Sequence, residues 1–341
     1  MATAATPTRP RRLRRSNPGT PGYARRRCGT GFIYLDETGA RITDAELVAR
    51  ITALVIPPAW KDAWISPDPF GHIQATGIDA RGRTQYLYHP RWRERRDQQK
   101  FDDMVAFARR LPALRALVEH DLALGDMSRE QVLACATRLL DRGLFRIGSE
   151  QYAVTNETYG LATMRKRHVT LRGDTIGFDY IAKEGKRRVQ AIVDPEVAAI
   201  VGTLKRRRGG GDDLLAYKRD RRWCDVRSPD INAYLKAATG SDISAKDFRT
   251  WGATVLAAVG LAVMQPAELS ATARRRAIGR AVEEVAHYLG NTPAVARGSY
   301  IDPRVLDRFR AGETISLELV GAGATAIQGP VEEAVLELLA D

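Results

Sequence analysis

A few basic residues and one tyrosine stand where charge or a phenol could do chemistry. Arg249 lies in "SAKDFRTWGATVLA", just inside the start of a helix otherwise built of Trp, Ala, Val and Leu. An arginine facing such a helix is partly buried, which costs free energy unless an anion pairs with it. Arg146 follows a helix end in "GLFRIGSEQY", and Lys183 sits at a hairpin tip in "YIAKEGK". Tyr300 comes after the Gly-Asn-Thr-Pro turn of "YLGNTPAVARGSYIDP", beside a serine and close to an arginine. Taken singly, each basic residue reads as a surface group or half of a structural salt bridge. Tyr300 alone reads as a half-buried tyrosine with a satisfied polar tip. Any functional reading rests on the set.

Several other chemistries lack their residues. His72, His89, His120, His168 and His287 do not have metal-ligand spacing, and no H-E-x-x-H occurs. No G-x-x-x-x-G-K-[ST] phosphate loop occurs either, and the "GGGDD" run reads as an ordinary loop. An ATP-driven or dinucleotide-dependent enzyme is therefore disfavoured, and no cofactor or metal is expected. Cys28, Cys135 and Cys224 lie far apart, with no C-x-x-C pair, as in a reduced intracellular protein whose thiols do no chemistry.

The chain has 341 residues, 44% of them hydrophobic, which is enough for two domains with real cores. Lys and Arg number 53 against 41 Asp and Glu, a net charge of +12 that attracts polyanions. No apolar run is long enough to span a membrane. The N-terminus lacks the apolar core of a secretory signal. The expected location is the cytoplasm, on the nucleoid in a bacterium.

The elements that must position these residues fall into an α+β pattern. Residues 1–27 carry arginines, prolines and glycines without an acid, and read as a disordered basic arm. It is either a solvated tail or a non-specific nucleic-acid contact. Residues 28–92 read as a small α+β domain with an antiparallel sheet. In it "GFIYLDETG" is strand then turn, "TDAELVARITAL" a capped amphipathic helix, and "HIQATGIDARGRTQYLYHP" two strands joined at "DARG". The charged "RWRERRDQQK" run that follows reads as a linker into a helical stretch. Residues 93–312 read as a second, mostly helical domain. Ser128 and Gln131 have capping-box spacing there, and Val132, Leu133, Ala136, Leu139 and Leu140 share a helical face. "VTLRGDTIGFDYIAKEGKRRVQAIV" reads as a small antiparallel meander. From "DPEVAAIVGTLKRRR" onward the pattern is mainly helical, broken by "RRRGGGDD". Residues 313–341 form a C-terminal extension, a Gly/Ala linker and the short amphipathic helix "VEEAVLELLAD".

In their order along the chain, "LFRIGSEQY", "IAKEGK", "KDFRTWGA" and "YLGNTPAVARGSYIDP" resemble the type IB DNA topoisomerases of the poxvirus and bacterial kind. "GIDARGRTQYLYHP" is similar to the DNA-contacting strand pair of that family's N-terminal domain. The resemblance runs from about residue 30 to about residue 310, and its specificity lies in the blocks occurring together. The family's active site has two arginines, a lysine, a histidine and a tyrosine. By matching motifs, Arg146 and Arg249 take the arginine positions, Lys183 the lysine position and Tyr300 the nucleophile position. The histidine of L-G-H-T-P falls on Asn291 in "LGNTP", a departure from the poxvirus pattern. An amide cannot carry the proton charge, yet it can still donate to a phosphate oxygen.

The resemblance implies relaxation of supercoiled DNA through a 3′-phosphotyrosyl link to Tyr300, without ATP or metal. Arg146 and Arg249 would clamp the phosphate oxygens, and nearby guanidiniums would favour the phenolate. Lys183 would protonate the leaving 5′ oxygen, with Lys246 on the Arg249 helix as a second candidate. Gln85, Tyr86, Tyr88 and Tyr152 match DNA-contact positions, and Lys246 is counted with them. For Tyr86 and Tyr88 the spacing alone is equally consistent with cross-strand packing. The implied assembly is a monomer of two domains closing around duplex DNA. A tyrosine recombinase shares the catalytic chemistry and is the nearest rival, although the "GRTQYLYHP" block is foreign to its helical DNA-binding domain. A non-catalytic basic architectural protein is permitted by composition alone.

Overall fold

The period-two stretches near the N-terminus become one antiparallel sheet in the computed structural model, which describes residues 11–264, 269–319 and 328–340. The strands are β1 (Tyr23–Cys28), β2 (Gly31–Leu35), β3 (Lys61–Ile65), β4 (Ile73–Ile78) and β5 (Thr84–Tyr88), in the order β2-β1-β3-β4-β5. Helix α1 (Ala45–Ala53) starts at Asp44, whose carboxylate accepts the Leu47 N–H at 2.9 Å. Its Ile51 is fully buried and meets Ile56, Ile65 and Ala75 in a small core. Along β5, Leu87 packs against that core while Tyr86 and Tyr88 stay exposed on the opposite face.

Two expectations for this unit change. The supposed disordered arm, residues 1–27, is in part a strand, because β1 begins at Tyr23. Tyr23 packs on the core, and the Arg25 guanidinium donates to the carbonyls of Ile56, Pro57 and Trp60 at 2.7–2.9 Å while lying over the Phe32 ring. Arginine content here therefore belongs to an interior strand, with the Arg25 guanidinium satisfied by main-chain carbonyls. Residues 1–10 of the arm lie outside the described residues. The charged run taken for a linker is helix α2 (Pro90–Ala108), opened by Pro90. The chain divides at residues 100 and 101 into two compact units, later than the 92/93 boundary read from composition.

The second unit is mostly helical: α3 (Leu111–Leu122), α4 (Arg129–Gly143), α5 (Glu150–Asn156), α6 (Pro195–Arg206), α7 (Ser228–Thr239), α8 (Ala245–Ala262), α9 (Ala271–Leu289), α10 (Pro293–Ser299), α11 (Pro303–Ala311) and α12 (Pro330–Ala340). Ser128 caps α4 by accepting the Gln131 N–H at 3.3 Å. The Gln131 side chain does not close the reciprocal half of the box: it accepts from Met127 and donates to the Leu122 carbonyl. The expected meander is a three-stranded sheet, β6 (Val169–Arg172), β7 (Thr175–Ile181) and β8 (Arg187–Val193). A short hairpin, β9 (Ala216–Arg219) with β10 (Arg222–Asp225), interrupts the stretch read as helical. The molecule is thus α+β, with an antiparallel sheet followed by a mainly helical unit.

Burial centres on α4 and α8. Leu133, Leu139 and Leu140 of α4 and Phe248, Val255 and Leu261 of α8 are buried in one core. The C-terminal helix α12 belongs to that core through Val331, Val335 and Leu339. Its Glu332 accepts from the Trp251 indole at 2.7 Å and from Arg115, which also pairs with Asp141 at 2.8 Å. The Gly/Ala linker before it lies largely outside the described residues.

Candidate active site

Arg146, Arg249, Asn291 and Tyr300 converge in the second unit from separate segments. Arg146 sits in the loop after α4, which leaves the helix through Leu144 in the left-handed region (φ 47°). That loop is folded against residues 160–162: the Arg146 carbonyl accepts the Leu161 N–H at 2.9 Å and the Ile147 carbonyl the Ala162 N–H at 2.7 Å. A Cβ at Gly160 would stand 2.4 Å from the Gly148 nitrogen and 2.6 Å from the Arg146 oxygen, so only glycine permits this approach.

Arg249 lies in the first turns of α8 and is 3% exposed. Its guanidinium donates to the main-chain carbonyls of Leu144 and, at 3.0 Å, Leu289. Arg146 donates to the same Leu289 carbonyl at 3.4 Å, to the Gly290 carbonyl at 3.3 Å and to the Asn291 side-chain oxygen. The shared carbonyls belong to the end of α9, where Gly290 turns left-handed (φ 64°) and the Asn291 N–H returns to the Ala286 carbonyl at 2.8 Å. That turn is the "LGNTP" punctuation, and it seats both arginines. With its oxygen taken by Arg146, Asn291 keeps a buried Nδ2 that finds no partner among the described residues. The Arg249 Nε is in the same position.

Tyr300 ends α10, and its own N–H closes on the Ala296 carbonyl at 3.0 Å. Thr254 of α8, fully buried, donates to the Tyr300 carbonyl at 3.2 Å and accepts the Asp302 N–H at 3.1 Å. The nucleophile candidate is thereby tied to the helix that carries Arg249. Burial acts to raise the Tyr300 phenol, and the charges of Arg249, Arg146 and Lys246 outweigh it, so its pKa lies below the ordinary tyrosine value. Burial, and then the charge of Arg146, bring the Arg249 guanidinium down to about 10, still charged at neutral pH. The arrangement offers an activated phenol beside two guanidiniums and an idle amide donor, which suits attack on an anionic phosphorus centre.

The remaining candidates stand apart. Lys246 is exposed on the first turn of α8, near enough for its charge to act on Tyr300. Lys183 is exposed at the tip of the β7–β8 turn and forms no hydrogen bond or ion pair with the other four. Tyr152 is exposed on α5. Tyr86 and Tyr88 in the first unit are exposed with nearly parallel rings, 6.1 Å apart between centroids. Gln85 is on the opposite face of β5 from them, its amide donating to Asp79 at 3.0 Å. Of the basic run 205–208, Lys205 and Arg207 are occupied structurally. Arg207 is 8% exposed and donates to the carbonyls of Leu204, Gly211, Asp213 and Leu214.

Sequence reasoning missed Arg188 on β8. It donates to the Tyr288 carbonyl at 2.5 Å and to Gln190 at 2.6 Å, and its charge helps lower the Arg249 pKa. A Cβ at Gly290 would lie 3.0 Å from one Arg188 nitrogen and 3.7 Å from one Arg146 nitrogen, so the two guanidiniums flank the same glycine. The available signal was strand parity: Arg188 shares its side of β8 with the buried Ile192.

Comparison with known proteins agrees in extent with this architecture. A family profile described as "Eukaryotic DNA topoisomerase I, catalytic core" matches residues 89–311, and one described as "Bacterial DNA topoisomerase IB, N-terminal domain" matches residues 31–79. DNA topoisomerase 1B of Acanthamoeba polyphaga mimivirus is 27% identical over 311 residues, 87% of this chain and 90% of that protein. DNA topoisomerase I of Monkeypox virus is 19% identical over 234 residues, 69% of this chain and 71% of that one. DNA topoisomerase 1 of Daucus carota is 29% identical over 137 residues, 40% of this chain and 16% of its own much longer length. Among the described residues, no helix is long and apolar enough to cross a membrane.

Proposed function

Because this chain belongs to the type IB DNA topoisomerase family and is a DNA topoisomerase, we propose that it relaxes supercoiled duplex DNA by transient cleavage of one strand through Tyr300. The observation that carries this reading is the meeting of Tyr300 with Arg249, Arg146 and the idle Asn291 amide around one turn. The Tyr300 hydroxyl oxygen attacks phosphorus and the bond from phosphorus to the 5′ oxygen breaks. The phenol proton leaves, and the departing 5′ oxygen takes up a proton to become a hydroxyl. The new 3′-phosphotyrosyl bond keeps the energy of the phosphodiester, so the reverse attack by the 5′ hydroxyl reseals the strand without ATP.

Charge gathering on the non-bridging oxygens would be met by Arg146 and Arg249, with Asn291 adding a neutral hydrogen bond. Lys183 is proposed as the acid for the 5′ oxygen, delivered from its turn when DNA is bound. Lys246 is the second candidate, on the observation that its charge already reaches Tyr300. Both domains would contact the duplex, residues 28–92 through Tyr86 and Tyr88 and the catalytic domain partly through Tyr152. A single chain supplies the whole set, which supports a monomer.

Relaxation of a supercoiled plasmid in excess EDTA without ATP tests the proposal. Catalytic turnover on arbitrary sequence is the expected result. A requirement for paired sites would favour the recombinase reading instead, and no relaxation by the wild-type protein under these conditions would sink the metal-free mechanism.

A further inference from the structure

The described part of the basic arm is fastened to the first unit. The Arg14 N–H donates to the Phe70 carbonyl at 2.9 Å, and the His72 N–H donates back to the Arg14 carbonyl at 2.8 Å. Ser16 is the pin. Its N–H donates to His72 Nδ1 at 2.9 Å, and its hydroxyl both donates to the Ile73 carbonyl at 2.9 Å and accepts the Ile73 N–H at 3.0 Å. The His72 ring stands edge-on to Trp92 at 4.8 Å between centroids and lies 6.5 Å from the Tyr88 ring. Beyond Tyr88, Arg91 donates to the Arg11 carbonyl at 2.8 Å. The segment is therefore held along the border of the surface that exposes Tyr86 and Tyr88.

Its side chains point to a ligand that the protein itself does not supply. Arg11, Arg12, Arg14 and Arg15 are all exposed. Arg14 has Asp68 at 3.7 Å, and Arg11 lies over the Phe70 ring; Arg12 and Arg15 pair with no acid among the described residues. Fixing a backbone costs roughly 1–2 kcal/mol per residue, so a tail needed only for solubility gains nothing from being pinned. For binding a polyanion the pin does matter, because guanidiniums already ordered lose less freedom when phosphates arrive.

We propose that residues 11–16 extend the DNA-contacting face of Tyr86 and Tyr88 with a sugar-phosphate contact of their own, the Ser16–His72 contact setting where the arginines lie. This inference rests on the DNA-acting reading above. Arginines would take phosphates, and the tyrosine hydroxyls would donate to phosphate or sugar oxygens. The arginine–phosphate contact carries no base information, so it adds affinity without sequence preference.

The test uses the full chain with Tyr300→Phe, so that binding is read without cleavage, and a labelled duplex titrated over a range of salt. In the first variant Arg11, Arg12, Arg14 and Arg15 become Gln, which leaves the fold alone because all four are exposed. Each lost phosphate contact lowers the slope of log K against log salt by about 0.9. The expected drop is about 2 or more, with affinity at about 0.15 M salt falling roughly 10-fold. The second variant, Ser16→Ala with His72→Phe, keeps all four arginines and frees the pin; it is expected to weaken binding about threefold. An unchanged slope in the first variant would overturn the arm as a phosphate contact. Unchanged affinity in the second, with the first weakened, would overturn the pinned placement. Failure of the parent chain to bind duplex at all would instead sink the DNA-acting reading.

Discussion

The central guanidinium carbon of Arg249 lies 5.2 Å from the centroid of the Tyr300 ring, on its face. The cation is thus packed on the phenol it helps to ionise, while its nitrogens reach past the ring to the Leu144 and Leu289 carbonyls. Thr254, on the same helix as Arg249, holds the Tyr300 backbone, so charge and nucleophile move as one piece.

Replacing Tyr300 by Phe removes one oxygen and keeps the packing. Relaxation should vanish while duplex affinity stays within about twofold, as for the loss of a group used only in the reaction. Plasmid relaxation and binding measured side by side check this. Residual relaxation by the Phe variant would show that another group is the nucleophile.

The lowered Tyr300 pKa fixes the sign of a pH effect. Single-turnover cleavage should rise with pH as the phenolate forms, and its plateau should begin below the ordinary tyrosine value of ~10. Lys246→Met removes one of the charges that lower the phenol, so the rising limb should move to higher pH. A limb that stays put or moves down would rule out that role for Lys246.

Asn291 separates two ways of meeting a phosphate oxygen. Asn291→Ala deletes the buried Nδ2 donor and should slow cleavage by about 10- to 100-fold, the worth of roughly 1.5–3 kcal/mol for a hydrogen bond to a charged group. Asn291→His should restore most of the rate and add a titration near the imidazole range of ~6.5. Pre-steady-state cleavage of a suicide duplex reads both, and full activity in the Ala variant would remove Asn291 from the site.

The leaving-group acid can be assigned with a substrate whose bridging 5′ oxygen is replaced by sulfur. A thiolate departs without a proton, so a variant lacking only the acid should cleave this substrate nearly as fast as wild type. Lys183→Ala should be slow on the oxygen substrate and rescued on the sulfur one. Rescue of Lys246→Ala instead would transfer the role to α8.

Arg188 and Gly290 test the frame of the site. Gly290→Ala places a methyl 3.0 Å from an Arg188 nitrogen at a positive φ, costing about 1 kcal/mol in backbone strain and shifting both flanking guanidiniums. Cleavage should slow more than binding weakens. Arg188→Ala should also lower the cleavage rate, by about 10-fold, and Arg188→Lys should recover part of it. Equal losses in affinity and rate for Arg188→Ala would make it a plain DNA contact.

Local pattern revealed most of the fold because most elements carry their own periodicity. The β4–β5 pair, α1, α4 and the β6–β8 meander each have turn signals and an apolar face of the right period. The α2 start was obscured by a run of charged residues with no apolar stripe before Phe101. The β9–β10 hairpin was hidden by its brevity, with strands of four residues and a turn at Asp220 and Arg221, two charged residues in the left-handed region. In the site, residue types were legible from the motifs, and their supports were not. The Leu289 and Gly290 carbonyls have no side-chain identity to read, and Arg188 becomes relevant only when β8 is brought beside the α9 turn.

The end of α9 seats Arg146 and Arg249 on carbonyl oxygens, and neither pairs with a carboxylate among the described residues. A carbonyl dipole orients a guanidinium without neutralising it. In the free protein the two cations, with Arg188, therefore repel one another across a turn that cannot discharge them. That repulsion opposes the stability of the domain, and a phosphate held between the guanidiniums would relieve it. By linkage, binding and folding would then reinforce each other: on the proposed reading, the DNA phosphate is a counter-ion of this fold as well as part of its substrate.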